Sequence, residues 1–223
     1  MNSPSDVGPA LRAMYDALLE AFGPQHWWPG ETRDEVIIGA ILTQNTAWAN
    51  VERAIERLKS ADVLSLAAIY AMEVGSLAEL IRPAGTFRIK AKRIKAFVDW
   101  LYDCYAGDLD VLFACSADRL RHDLLGIPGI GPETADAIML YAGDVPTFVV
   151  DAYTQRVLRR HFLVEPAATY ERSKSLFESH LPGDVAHFGE YHALLVSLGK
   201  RFCRSQARCD GCPLADWNHD ASL

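Results

Sequence analysis

The sequence predicts an all-α protein, and three observations carry that prediction. Half of the 223 residues are hydrophobic and only 23% are charged, which supplies a core for one large domain or two small ones and excludes disorder for most of the chain. Apolar residues recur at helical spacing: Phe87, Ile94, Phe97, Val98, Leu101, Tyr102 and Tyr105 keep an i, i+3, i+4, i+7 stripe, so 87–105 reads as one long amphipathic helix. Strand signals are almost absent; Thr147-Phe148-Val149-Val150 is the one β-like run, too short and isolated to found a sheet.

Similar stripes predict helices near 8–22, 33–42, 47–59, 65–71, 74–82, 117–125, 133–143, 153–162, 169–180 and 187–201, with the 11 Pro and 15 Gly dispersed as punctuation between them. No repeat or low-complexity tract interrupts the series. The longest strongly apolar run, Val36 to Leu42, falls far short of the ~20 residues that a membrane-spanning helix needs. The first twenty residues lack an apolar signal core, so the expected location is cytoplasmic, with no membrane partner.

The formal charge of −7 argues at face value against a polyanionic partner. Its distribution argues otherwise. Arg82 to Lys95 holds six basic residues and no acidic one; Lys200, Arg201, Arg204 and Arg208 form a second group, and Arg156, Arg159 and Arg160 a third. These segments carry more than half of the 22 basic residues, so the molecule is expected to be two-faced. A solvated helix face is the plainer reading of 82–95.

The five cysteines are an odd number, which argues against a disulfide framework. Cys104 and Cys115 sit in apolar stretches and read as small buried hydrophobes. Cys203, Cys209 and Cys212 lie within ten residues and are followed by Pro213, a spacing that lets a loop wrap a tetrahedral metal or an iron-sulfur cluster. Either group normally takes four ligands. No fourth Cys follows, and the candidates in reach are Asp216, Asn218 and His219.

The most informative stretch is Leu124 to Ile138. A helix stops, Pro128-Gly129-Ile130-Gly131 turns the chain, and a second helix opens with Pro132, where a missing N–H costs nothing. Gly129 and Gly131 let a bulky partner approach the backbone, and exposed amides at a helix N-terminus bind a phosphate oxygen. A plain hairpin turn would need only one Gly. Such a grip is independent of base sequence and does not require a basic protein. Eighteen positions beyond Glu133, Asp151 follows an apolar stretch and opens another helix. It can be an N-cap or a carboxylate that stabilises a cationic sugar or activates water; composition and spacing do not choose between these roles.

Together the hairpin, Val149-Val150-Asp151 and the cysteine loop after Gly199-Lys200-Arg201-Phe202 resemble the endonuclease III superfamily of helix-hairpin-helix DNA glycosylases, from roughly residue 30 to 218. The resemblance implies a six-helix domain over 34–143, a second helical domain made of 1–33 plus 144–223, and a lesion pocket in a cleft between them. It implies damaged DNA as partner, a monomeric, nucleoid-associated enzyme of base excision repair, and Asp151 as the catalytic residue. Gly129 and Gly131, with Arg88, Lys90 and Lys92, would meet DNA phosphates. Ile41-Leu42-Thr43-Gln44-Asn45-Thr46 is similar to the segment whose Gln fills the gap left by a flipped base, which makes Gln44 the expected wedge, with Asn45 beside it.

Two departures from the family pattern sharpen the expectation. Members that also cleave the backbone carry a Lys two residues after the last hairpin Gly; Glu133 stands there, and a carboxylate cannot form a Schiff base. The resemblance therefore implies a monofunctional glycosylase, close to the bacterial 3-methyladenine branch. Trp27, Trp28 and Trp48 resemble that branch's aromatic walls around an alkylated purine, whose positive charge adds attraction to indole faces. The family's fourth cluster Cys falls near Asn218, so the expected cofactor is a [4Fe-4S] cluster on Cys203, Cys209, Cys212 and Asn218, with Asp216, His219 or water as other fourth ligands, and zinc or an empty loop as the alternatives. An endonuclease III-type enzyme for oxidised pyrimidines or mismatches with weak lyase activity, and a damage-scanning DNA-binding protein, are the competing functions.

Overall fold

The computed structural model describes residues 7–27 and 30–223. Among these the chain is helical with no strand. The helices are α1 (Val7–Phe22), α2 (Arg33–Leu42), α3 (Trp48–Ser60), α4 (Leu66–Ala71), α5 (Val74–Leu80), α6 (Phe87–Tyr105), α7 (Leu109–Phe113), α8 (Ala117–Leu125), α9 (Pro132–Ala142), α10 (Ala152–Arg160), α11 (Tyr170–Glu178) and α12 (Val185–Arg201), with a 3-10 turn at Arg82–Ala84. The chain divides into two compact units, Trp28–Val145 and Met1–Trp27 with Pro146–Leu223.

In the 28–145 unit, α2 is the central rod. Glu35 to Leu42 are all buried, so this helix is apolar on every side rather than striped. Thr32 caps it, its hydroxyl accepting from the Glu35 amide at 3.2 Å. The Asp34 carboxylate accepts from Leu66 N at 2.8 Å and so holds the start of α4. Helix α9 packs along α2, and α6 closes the other side. Arg121 on α8 grips the fully buried Asp136 on α9 through two bonds, 2.7 and 3.2 Å long, which locks the arms of the hairpin together.

In the other unit α12 packs against α1 and α10. Phe148 stacks on Phe177 with ring centroids 3.7 Å apart, and Tyr191 sends its hydroxyl to Leu11 O at 2.8 Å. The β-like run forms no strand: Phe148 N donates to Glu178 Oε1 at 2.9 Å and Val150 N to the Tyr170 hydroxyl at 3.4 Å, so side chains do what a neighbouring strand would do. A Cβ on Gly199 would overlap the Tyr153 ring, which lets α10 and α12 approach closely. Sequence periodicity did not anticipate α7, whose five residues are too few to show a period; Asp108 starts it by accepting from Asp110 N and Val111 N.

Candidate functional site

The hairpin between α8 and α9 is built from chain chemistry alone. Gly126 ends α8, Ile130 N closes a turn onto Ile127 O at 3.0 Å, and Gly131 stands as N-cap with an extended backbone and no side chain over the α9 amides. Gly129 has φ +89°, and a Cβ there would overlap the stem of Arg93. Glu133 lies exposed in the first turn of α9, where a negative charge suits the positive end of the helix.

Gln44 is tied to this turn. Its amide nitrogen donates to Gly129 O at 3.0 Å and to Thr134 Oγ1 at 2.9 Å, while its carbonyl oxygen accepts from Arg93 Nη1. Asn45, next in the chain, is exposed and has φ +52°. Of the three basic residues expected at phosphates, Arg88 and Lys92 are exposed. Lys90 is not available for that role: it is 1% exposed, and its ammonium donates to Leu42 O at 2.8 Å and Ala84 O at 2.7 Å. Burial, helped by the charge of Arg93, lowers its pKa to about 8. Lys90 lies three residues after Phe87 and four before Ile94, on the apolar stripe of α6, whereas Lys92 lies on the opposite face, so the stripe itself was the signal that could have separated them.

Trp48 sends its indole N–H to Glu52 Oε1, 2.9 Å away on its own helix, and packs its ring near Gly39. Trp27 belongs to the other unit, half-buried with its ring 5.4 Å from that of His192. Trp28 lies outside the described residues.

Asp151 caps α10. One carboxylate oxygen accepts from Thr154 N at 2.7 Å, and the other stands 3.9 Å from Nε2 of the buried His192. Burial lowers the His192 pKa, Asp151 opposes that shift, and Lys200 adds to it. Sequence reasoning missed His192; a polar ring within the apolar run Tyr191 to Leu198 was the signal that could have found it.

In the C-terminal segment Cys203 is buried, Cys209 and Cys212 are half-buried, and all three thiols are free. They line one cavity together with Arg160, His161 and His219. Asn218, the expected fourth ligand, does not line it; the side chain that does is one residue further on, His219. Among the described residues, no three His, Cys, Asp or Glu side chains lie close enough to hold a single metal ion. Arg160, 3% exposed, organises the loop: it donates to Cys203 Sγ at 3.3 Å, Arg204 O at 2.6 Å, Ser205 O at 2.9 Å and Leu223 O at 2.6 Å. Arg156 Nε adds a bond to Cys203 O at 2.7 Å. Burial, and after it the charges of the other two thiols, raise the Cys212 pKa; a backbone bond from Leu214 opposes them. Of the two cysteines expected in cores, Cys115 is half-buried but Cys104 is exposed, because it falls on the solvent side of the α6 stripe.

A glycine-built hairpin that opens a helix presents free backbone amides suited to a phosphate, which places this all-helical chain among candidate nucleic-acid-binding proteins. Comparison with known proteins gives the same class. Residues 38–182 match the model of the HhH-GPD superfamily base excision DNA repair protein family. A putative DNA repair glycosylase of Methanocaldococcus jannaschii, MJ1434, is 47% identical over 206 residues, which are 92% of this chain and 93% of that protein. Among solved structures, the 3-methyladenine DNA glycosylase of H. pylori bound to 1,N6-ethenoadenine superimposes with TM-score 0.75 and 28% identity, covering 88% of this chain and 98% of that one. A non-covalent endonuclease III–DNA complex superimposes with TM-score 0.83 at 22% identity over 99% of this chain and 97% of that one, a likeness of fold. The chain belongs to the HhH-GPD superfamily, as a DNA glycosylase of base excision repair.

Proposed function

We propose that the protein is a monofunctional glycosylase that hydrolyses the N-glycosidic bond of alkylated purines in DNA after flipping the base. The observation that carries this reading is Glu133: an exposed carboxylate stands in the first turn of α9, where a lyase would need an amine. The H. pylori relative, a 3-methyladenine glycosylase, supports the purine assignment. A cationic alkylated base is already a good leaving group, so the chemistry asks little of a general acid.

In this reading the Asp151 oxygen bonded to Thr154 N aims the carboxylate, and the oxygen near His192 stabilises the cationic sugar or takes a proton from the attacking water. The amides after Gly131 hold a phosphate of damaged DNA, Arg88 and Lys92 add charge, and Gln44, with the exposed Asn45 beside it, is the wedge. Trp27 and Trp48 remain the aromatic candidates for the base.

The cysteine loop suits a [4Fe-4S] cluster on Cys203, Cys209, Cys212 and His219. Its support is that these four side chains share one cavity and that Arg160 already directs positive charge at Cys203. Bound there, a cluster would brace the loop. Absorbance near 400 nm and iron in freshly purified protein are expected; a colourless, iron-free preparation contradicts the assignment.

The enzymatic reading is tested by single-turnover excision from duplexes carrying 3-methyladenine analogues, hypoxanthine, thymine glycol, uracil or an abasic site, each with and without borohydride. Release of alkylated purine without a trapped complex is expected. A borohydride-trapped adduct would show lyase chemistry and favour the endonuclease III-type alternative.

A further inference from the structure

Asp151 stands at the end of an extended run that no strand supports. Thr147, Phe148, Val149 and Val150 are each 3% exposed or less, so their amides need partners within the protein. Helix α11 supplies them. Phe148 N and the Thr147 hydroxyl both donate to Glu178 Oε1, at 2.9 and 3.1 Å, and Val150 N donates to the Tyr170 hydroxyl at 3.4 Å. Lys174, buried and midway between the two acceptors along α11, brings its ammonium to 3.6 Å from the same Glu178 oxygen.

Tyr170, Lys174 and Glu178 are spaced i, i+4, i+8 and form one stripe of α11. The amides of Phe148 and Val150 point the same way and lie about 7 Å apart along an extended chain, whereas Tyr170 and Glu178 start about 12 Å apart on their helix. Their side chains therefore converge on the run from both ends, which fixes it lengthwise as well as sideways. The Phe148 ring, stacked on Phe177 beside Glu178, blocks a slip of one residue, because a slip would turn that ring to the opposite side.

Helix α11 also reaches past Asp151. The fully buried Ser173 donates its hydroxyl to Gln155 Oε1 at 3.1 Å, and Gln155 N closes the first turn of α10 on Asp151 O at 3.0 Å. One helix thus holds both the residue before Asp151 and the turn after it. The remaining freedom lies in the Asp151 side chain, where the bond from Thr154 N settles one oxygen.

We propose that α11 is the template for the Asp151 carboxylate: Glu178 and Tyr170 set how far the extended run carries it, and Ser173, through Gln155, sets the direction in which α10 leaves it. Glu178, Tyr170 and Ser173 are then positioning residues, acting through Asp151 rather than on the base. The inference rests on the glycosylase reading above and deepens it. A carboxylate that must meet a sugar cation tolerates little error, since a displacement of about 1 Å costs on the order of a hundredfold in rate.

The test separates rate from binding and from stability. Single-turnover excision of an alkylated purine gives the rate, and binding to a duplex with an uncleavable abasic analogue gives the affinity. Thermal unfolding and amide exchange at Phe148 and Val150 are followed in parallel. Glu178→Ala is expected to lower the rate by about a hundredfold, with affinity unchanged and exchange at Phe148 faster. Glu178→Gln keeps an acceptor oxygen in place and is expected to restore the rate to within about fivefold of the parent. Tyr170→Phe removes one hydroxyl, opens no cavity, and is expected to lose about fivefold in rate. Tyr191→Phe is the control: it removes the buried bond to Leu11 O in the same unit, and is expected to lower the unfolding temperature while leaving the rate unchanged. A rate loss in Tyr191→Phe as large as in Glu178→Ala, parent-rate excision by both Glu178→Ala and Tyr170→Phe, or a Glu178→Gln variant as slow as the alanine would overturn the template. No release of any base by the unsubstituted chain would instead overturn the glycosylase reading, while faster exchange in Glu178→Ala would still show α11 holding the run.

Discussion

Two helices of this protein, α6 in the 28–145 unit and α10 in the other, each turn a cation inward to hold backbone carbonyls of a functional loop. Lys90 holds Leu42 O and Ala84 O, at the foot of the Gln44–Asn45 loop. Arg160 holds Arg204 O, Ser205 O and Leu223 O, and reaches the Cys203 sulfur as well. The difference follows from donor geometry. An ammonium is a compact point charge that satisfies two nearby oxygens, whereas a guanidinium fork spans acceptors from separate turns of one loop. Basic residues in a sequence are thus not equivalent to positive surface: segments that look like DNA-binding strips also contain the internal anchors of the loops beside them.

Removing the anchors separates the two designs. Arg160→Met leaves several buried acceptors without a partner, at about 1–3 kcal/mol each before relaxation, and is expected to cost about 3–5 kcal/mol, with loss of any metal content and faster proteolysis of 203–219. Denaturant unfolding and limited digestion would show it; an unperturbed cysteine segment would break the comparison. Lys90→Met orphans two carbonyls but relieves a buried charge, so a smaller loss of about 1–3 kcal/mol is expected.

The Lys90 substitution also carries a sign. The folded-state pKa is lowered to about 8 from the usual 10.5, so between those values the unfolded chain binds the proton that the folded one has released. Stability contributed by Lys90 therefore rises with pH across this window and is lost as pH falls toward 8. The stability difference between the unsubstituted chain and Lys90→Met should grow from pH 8 to 10.5, and a flat difference would place the ammonium in a wetter site.

The surface members of the same strip give the smallest effect. Arg88→Ala with Lys92→Ala is expected to leave unfolding within about 0.5 kcal/mol of the parent. The salt dependence of DNA binding should lose a slope of about one per phosphate contact removed. An unchanged slope would mean that neither side chain meets DNA.

Much of this was legible in the sequence, for physical reasons. Helices long enough to show a period, α6 above all, were readable from apolar spacing, and the hairpin was readable because Pro128 and Pro132 fix φ while Gly129 and Gly131 reach turn conformations that other residues avoid. The direction of individual side chains was not. For Lys90 the position on the apolar stripe of α6 pointed inward, but its charge spoke for solvent, and only the carbonyls that receive it resolve that conflict. Asn218 and His219 differ by one position, yet only His219 lines the thiol cavity. The bonds from Gln44 to Gly129 and Thr134 join residues 85 and 90 positions apart, a proximity that only the packing of α2 on α9 creates.

Asp151 both caps α10 and carries the proposed chemistry, and Asp151→Asn separates the two roles. Asn is as good an N-cap as Asp, so the bond to Thr154 N and the start of α10 should survive while the carboxylate is lost. Single-turnover release of an alkylated purine is predicted to fall by about a hundredfold or more, with DNA binding and thermal unfolding unchanged. Excision at the parent rate by Asp151→Asn would contradict the account.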